Sequence, residues 1–174
     1  MATTDPAAAR RNEAVEVRIY TRTASMTGGV FLGLGIGGCF DSIFLQQITQ
    51  WHQIGSAVLP PTTLEAMSQN MRWGGYFHLL TLALMAIGTI SLWREGLDGT
   101  APPRLRVLTG LIILGLGLFH LVEGAVAHFV LELHHVRDLP LHVPLYDWIV
   151  LGASALLIVV GWLMSRTTEA DFRP

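Results

Sequence analysis

Seven histidines and two carboxylates stand in or beside apolar stretches of this chain: His52, His78, His120, His128, His134, His135 and His142, with Asp41 and Glu123. Imidazole and carboxylate without thiolate suit iron, copper, zinc or manganese. Glutamate and histidine facing inward from a four-helix bundle build di-iron centres. Histidines on two facing helices can hold haem, and chains of histidine and carboxylate relay protons without any metal. His120 and Glu123 have i,i+3 spacing, in the order H-x-x-E. The adjacent pair His134–His135 resembles a histidine box of membrane hydroxylases, which carry several such boxes where this chain has one.

The elements that must position these residues are membrane spans. Of 174 residues, 51% are hydrophobic and 14% charged, against roughly 25% charged in an ordinary soluble domain. Mean hydropathy is +0.48. These values predict a single all-α integral membrane domain. The net charge of −2, with every positive charge an arginine, excludes nucleic acid as a partner. Cys39 is the sole cysteine, so an internal disulfide is impossible and helix packing is its expected role.

Four windows reach the ~20 residues a bilayer crossing needs: 26–45, continuing as helix toward His52; 73–93; 107–130, continuing toward His135; and 145–163. Pro60 and Pro61, the stretch 96–103, and Pro140 to Pro144 break them apart. A short helix is expected to begin near Thr63. No internal repeat stands out. The bundle spans 24–166, between an N-terminal tail of 1–23, with an interfacial helix at 13–20, and a C-terminal tail of 167–174.

Arginines set the orientation. Arg10, Arg11, Arg18, Arg22, Arg94, Arg104, Arg106, Arg166 and Arg173 fall on one side, Arg72 and Arg137 on the other. The positive-inside rule therefore predicts an N-in/C-in, multi-pass protein. Trp51, Trp73 and Trp148 fall at the outer interface, Trp93 and Trp162 at the inner one. At a rise of about 1.5 Å per residue, Asp41, His78, His120 and Glu123 share one layer in the outer half of the bilayer, about 20 to 24 Å from the inner ends of their helices. Above them come His52, His128, His134, His135 and Asp147. Asp41 and His52 lie three helical turns apart on one face, and His120, Glu123 and His134 fall within a ~60° arc. An ionisable group costs about 2.5 to 3.5 kcal/mol at the centre of a membrane helix. Convergence of so many on one depth points to a site.

Gly29, Gly33 and Gly37 form a small-xxx-small stripe that ends one step short of Asp41 and lets helices approach closely. Gly33, Gly35 and Gly38 spell G-x-G-x-x-G on a membrane helix with no preceding strand, which excludes a dinucleotide reading. Gln46, Gln47, Gln50 and Gln53 can support ligands or tie helix ends. Arg72 and Arg137 are expected to pair with carboxylates such as Glu132, Asp138 or Asp147.

The segments CFDSIFLQQITQWHQ, NMRWGGYFHL and GLFHLVEGAVAHFVLELHHVRD resemble a bacterial family of four-span membrane proteins, domain of unknown function 2243, over residues 28–165. The family pattern D-G-I-x-L-H-Q-I-L-Q-W-H-H aligns with Asp41 to Gln53, N-M-R-W-D-G-x-F-H with Asn70 to His78, and N-L-V-E-G-x-x-D-H-H-x-L-x-x-H-H-V-R with His120 to Arg137. The chain departs from it at Gln46, Gln53 and Phe129, where the pattern has histidine, at Gly74 and Ala127, where it has aspartate, and at His120, where it has asparagine. The resemblance implies a bacterial cytoplasmic-membrane protein and a link to terminal-oxidase assembly.

The reading from sequence is a transition-metal site of iron, copper or zinc. Asp41, His78 and Glu123 stand at its centre, His52, His128, His134 and His135 above, and His120 is an addition peculiar to this chain. Such a metal would serve redox chemistry or metal handling near a respiratory complex. One alternative is a haem-binding electron carrier using His78 and His120. Another is an accessory subunit without metal, in contact with other membrane subunits or with a second copy of itself.

Overall fold

A computed structural model describes residues 25–97 and 103–166. The N-terminal tail with its expected interfacial helix, and the C-terminal tail, lie outside the described residues. Four helices are long and apolar enough to cross a membrane: α1 (Ser25–Ile48), α2 (Leu64–Leu97), α3 (Leu105–Val130) and α4 (Leu145–Ser165). The fold class read from composition is thus borne out as an all-helical bundle of four spans. Helices are the solution that satisfies every backbone polar group within one segment in hydrocarbon.

The interior is more polar than the surface. The buried polar residues include Asp41, Ser42, His52, Asn70, Thr81, His128, His134, Asp147 and Ser154, whereas Leu79, Leu82, Ile90, Leu145, Ile149 and Leu156 are exposed. Such an arrangement suits lipid outside and function within. The apolar windows of α2 and α4 are each 11% covered by protein, against 44% for α1 and 28% for α3. α1 and α3 are therefore the inner pair, with α2 and α4 as flanks.

Glycine sets the crossing of the inner pair, as the stripe predicted. A Cβ at Gly33 would strike the carbonyl of Ile112 and come within 2.9 Å of Gly115 Cα. A Cβ at Gly115 would strike the carbonyl of Val30 and lie 3.0 Å from Gly33 Cα. Gly29 faces Leu111 and Gly37 faces Phe119. Cys39 packs as expected, its Sγ 3.5 Å from Thr81 Oγ1 and 3.6 Å from Met85 Sδ.

These contacts reveal an internal duplication that the sequence reading did not find. Residues of α1 and its loop correspond to residues of α3 and its loop at a constant spacing of 82, the separation of Ser56 from Asp138, which are hydrogen bonded to each other. α2 corresponds to α4 at a spacing of 73, Gly88 to Gly161 and Thr81 to Ser154. Gly88 abuts Leu32 N and the Gly28 carbonyl, and Gly161 abuts Leu114 N and the Gly110 carbonyl. Gly35 abuts Met85 N and the Thr81 carbonyl, and Gly117 abuts Ile158 N and the Ser154 carbonyl. The repeat escapes detection because the connection to the flanking helix differs in length between the halves, which breaks any single period. Side-chain identity survives mainly in Leu-Gly-Leu-Gly at 32–35 and 114–117.

Both inner helices end alike. α1 widens into π-helix at Asp41–Ile48 and α3 at Gly124–Val130. Each then closes with the same pair of hydrogen bonds: Thr49 N to the Phe44 carbonyl and Trp51 N to the Leu45 carbonyl, both 2.9 Å, against Leu131 N to Val126 and Leu133 N to Ala127, both 2.8 Å. Each chain reversal uses a left-handed residue, Gln50 at φ 52° and Glu132 at φ 48°. The expected continuation of straight helix to His52 and His135 is therefore corrected. The two loops also clasp each other, Ala57 N bonding the Leu133 carbonyl at 3.0 Å and Leu139 N the Trp51 carbonyl at 2.8 Å.

The helix expected near Thr63 is present, with the Thr63 hydroxyl accepting from Ala66 N at 3.1 Å as an N-cap. It is continuous with the second span, which lengthens α2 to 34 residues.

Candidate functional site

The π-turns decide where the polar residues meet. On a straight helix, residues eleven apart lie about 16 Å from each other. Instead, the turn at Glu132 folds His134 back until its Nε2 is 2.9 Å from Glu123 Oε1, and the turn at Gln50 brings His52 Nε2 to 3.6 Å from Asp41 Oδ2. The expected inner layer with a separate histidine rim is thereby corrected: the rim is tucked down onto the layer. Single π-turns recur at functional sites because they re-aim side chains within a continuing helix.

The imidazoles are oriented by backbone. His52 Nδ1 lies 3.1 Å from the Val136 carbonyl and His134 Nδ1 3.0 Å from the Ile54 carbonyl. A carbonyl only accepts, so each Nδ1 carries a proton, and each Nε2 is left facing a carboxylate, which it can meet through a second proton or through a shared metal ion. The rings stack on each other, centroids 4.4 Å apart and 14° between planes. Asp41, His52 and His134 are each about 3% exposed or less.

The second half of the duplication carries the fuller donor set. Single donor atoms of Glu123, His128 and His134 all lie within 4.8 Å of one another. His128 Nε2 is 3.6 Å from Glu123 Oε1. Ligand atoms around a tetrahedral ion with ~2.0–2.1 Å bonds are separated by roughly 3.4 Å; the His128–Glu123 separation is close to that, while His134 and Glu123, hydrogen bonded at 2.9 Å, would part slightly to admit an ion. Behind them, Asp147 faces His128 Nδ1 at 3.2 Å and His135 Nδ1 at 3.1 Å, and its Oδ1 accepts from Val136 N at 2.8 Å. A carboxylate behind the distal nitrogen is the usual support for a ligating histidine.

The first half is mirrored but poorer. Asp41 corresponds to Glu123 and His52 to His134. Gln46 stands in the place of His128, and its Nε2 donates to Asp41 Oδ2 at 2.8 Å. Gln53 stands in the place of His135, and Gly74 in the place of Asp147.

His78 and His120 are placed elsewhere. His78 is half-buried, its Nδ1 donating to the Gly74 carbonyl at 2.7 Å and its Nε2 facing Gln47 Nε2 at 3.0 Å. Its two ring nitrogens are satisfied by protein. His120 is held among rings, edge-on to Phe119 at 5.3 Å and to Phe40 at 6.3 Å. Neither joins the Glu123 group. An open apolar groove of about 500 Å³, lined by Leu34, Phe77, Phe119, Val126 and Leu133, reaches Glu123 from the side.

Three further residues stand at the site beyond those the sequence singles out as ligands. Asp147 is buried behind two histidines, and its signal was a lone aspartate in the first turn of an otherwise apolar span. Asp138 and His142 join His135 in a second, more exposed group of possible ligands. There Asp138 is already engaged by the Ser56 hydroxyl at 2.6 Å and His135 N at 3.2 Å. Arg137, expected to pair with a carboxylate, lies instead over Trp51 and Tyr146, 5.4 and 5.9 Å from their ring centroids. Arg72 donates to the Ser68 hydroxyl at 3.3 Å.

His134 lies beyond the end of α3. Burial pushes its imidazolium toward losing the proton, but the hydrogen bond and charge of Glu123, with the charge of Asp41, outweigh this and hold its pKa above 6.5. The lone pair between His134 and Glu123 calls for a cation, either a proton or a metal ion.

Comparison with known proteins bears out the resemblance seen in the three motifs. The family model described as "Predicted membrane protein (DUF2243)" matches residues 28–168. No curated protein and no solved structure matches the chain.

Proposed function

We propose that this chain, which belongs to the DUF2243 family of predicted membrane proteins, binds one transition-metal ion through Glu123, His128 and His134. The observation that carries this reading is the orientation of the imidazoles. The Nδ1 atoms of His134 and His52 donate to backbone carbonyls and that of His128 faces Asp147, while all three Nε2 atoms turn toward carboxylates. Two histidines and one carboxylate with open positions suit non-haem iron, and the same donors serve zinc. Copper also accepts imidazole.

Asp147 would orient His128, and the Ile54 carbonyl would orient His134. The apolar groove beside Glu123 would offer no competing ligand on that flank. The reading includes an N-in/C-in topology, supported by the arginine distribution, in a bacterial cytoplasmic membrane; the site would then lie in the outer half of the bilayer. Redox chemistry, or handling of iron or copper for a respiratory complex, is the role we assign to such an ion.

The test is element-resolved mass spectrometry on detergent-purified protein, with an absorption spectrum of the same sample. One equivalent of iron, copper or zinc, lost in Glu123→Gln, supports the reading. A metal-free protein that stays metal-free after incubation with each ion overturns it and favours an accessory subunit. A Soret band would favour haem.

A further inference from the structure

We propose that the bundle is a duplicated two-site metal scaffold in which the N-terminal site is silent: Asp41 and His52 remain, but Gln46, Gln53 and Gly74 stand where the C-terminal half has His128, His135 and Asp147. The inference rests on the reading of Glu123, His128 and His134 as ligands, and it adds where a second ion belongs and why this chain does not take one.

The symmetry that defines the silent site is carried by backbone, independently of the ligands. Paired glycine contacts, paired π-turns, paired left-handed residues and paired loop hydrogen bonds all relate the same positions. Within that frame, His52 reproduces His134. Its Nδ1 donates to the carbonyl of Val136, as His134 donates to Ile54. Its Nε2 points at Asp41 with no hydrogen-bond partner, in a side chain that is 1% exposed. A buried imidazole nitrogen that faces a carboxylate without hydrogen bonding to it is placed to share a cation with that carboxylate.

Glutamine explains the silence. The Gln46 amide donates to Asp41 Oδ2 at 2.8 Å, where His128 would share an ion with Glu123. An amide N–H supplies the positive end of a dipole and cannot ligate a transition metal as imidazole does. Asp41 is left with one imidazole, too few donors to hold an ion against water. Gly74 withdraws the supporting carboxylate. A Cβ is tolerated there: at Gly74 it would meet only Gln46 Oε1, at 3.8 Å. That is the direction from which Asp147 faces His128 in the other half.

The experiment compares metal stoichiometry in the full-length protein purified in detergent and loaded with cobalt(II) or zinc. The wild type is compared with Gln46→His, with the triple variant Gln46→His/Gln53→His/Gly74→Asp, and with each of these carrying Glu123→Gln. The expected result is one equivalent in the wild type and two in the triple variant. Glu123→Gln removes the C-terminal ion and leaves one equivalent in the triple variant. Gln46→His alone, which sets a second imidazole beside Asp41 and His52, gains a second, weaker equivalent and guards against misfolding of the triple variant. Two equivalents in the wild type overturn the inference, as does one equivalent in every variant whose melting transition is retained. No metal in the wild type but one equivalent in the triple variant would sink the reading of the C-terminal site and leave the scaffold inference standing.

Discussion

His52 and His134 stack face to face, and each donates its Nδ1 proton to a carbonyl two residues beyond the other, Val136 for His52 and Ile54 for His134. This exchange locks two loops from opposite halves of the chain and fixes which ring nitrogen of each histidine faces its carboxylate. It makes one stacked pair serve two purposes, closing the bundle at the loop end and aiming two Nε2 atoms at two carboxylates.

The support given by Asp147 is open to a conservative test. Asp147→Asn keeps the acceptor for Val136 N but weakens the charge behind His128. Metal affinity is expected to fall by about 10- to 100-fold, the range for supporting residues around a ligated histidine. Competition titration with a chromophoric chelator measures it, and an unchanged affinity would remove Asp147 from the site.

Protonation should act on the metal-free and loaded proteins in opposite directions. His134 has a folded pKa raised above 6.5 by Glu123 and Asp41 against the effect of burial. In the metal-free protein, the imidazolium–carboxylate pair contributes fully below about pH 6.5 and is lost as pH rises through the raised value. Metal must displace that proton, so affinity rises over the same window. Melting temperatures of both forms, recorded between about pH 5 and 9, should diverge with increasing pH. A metal-free melting temperature that climbs across the window would contradict the assignment.

The glycine crossing predicts a sharp contrast between positions. Gly33→Ala would press a methyl group into the Ile112 carbonyl, whereas nothing lies within 4 Å of a Cβ at Gly152. Overpacking of this kind costs about 1–3 kcal/mol. Thermal unfolding in detergent should show Gly33→Ala clearly destabilised and Gly152→Ala close to wild type. Equal melting temperatures for the two would refute the close approach of α1 and α3.

The left-handed residues after the π-turns make a paired prediction. A side chain in that conformation costs about 1–2 kcal/mol. Glu132→Gly should therefore leave stability unchanged or raise it by up to about 1 kcal/mol, while Glu132→Val lowers it, with Gln50 behaving alike. Denaturation of the four variants checks both signs, and destabilisation by both glycines would show that φ is not the constraint there.

The sequence by itself determined the class and the cast. Hydropathy over four long windows requires membrane helices, since hydrocarbon offers no partner for an open backbone. The glycine stripe dictated the inner crossing, because only a hydrogen atom fits between Gly33 and Gly115. The ionisable residues in apolar surroundings marked Asp41, Glu123 and the histidines, because such groups are costly to insert without purpose. The positions at which the chain departs from its family pattern were also legible, and Gln46, Gln53 and Gly74 prove to be the mirror positions of His128, His135 and Asp147. Tertiary structure alone decided which of these residues meet. Helical periodicity measures depth and facing on a straight cylinder, and it breaks where π-turns and left-handed residues fold the chain back on itself. Hence His134 lies against Glu123 rather than two or three turns above it, while His78 is satisfied by Gln47 and Gly74. Duplication was hidden for a related reason: the repeated quantity is the backbone contact between helices, which glycine and small residues permit in many sequences, and the loop that joins the two helices within each half differs in length between the halves.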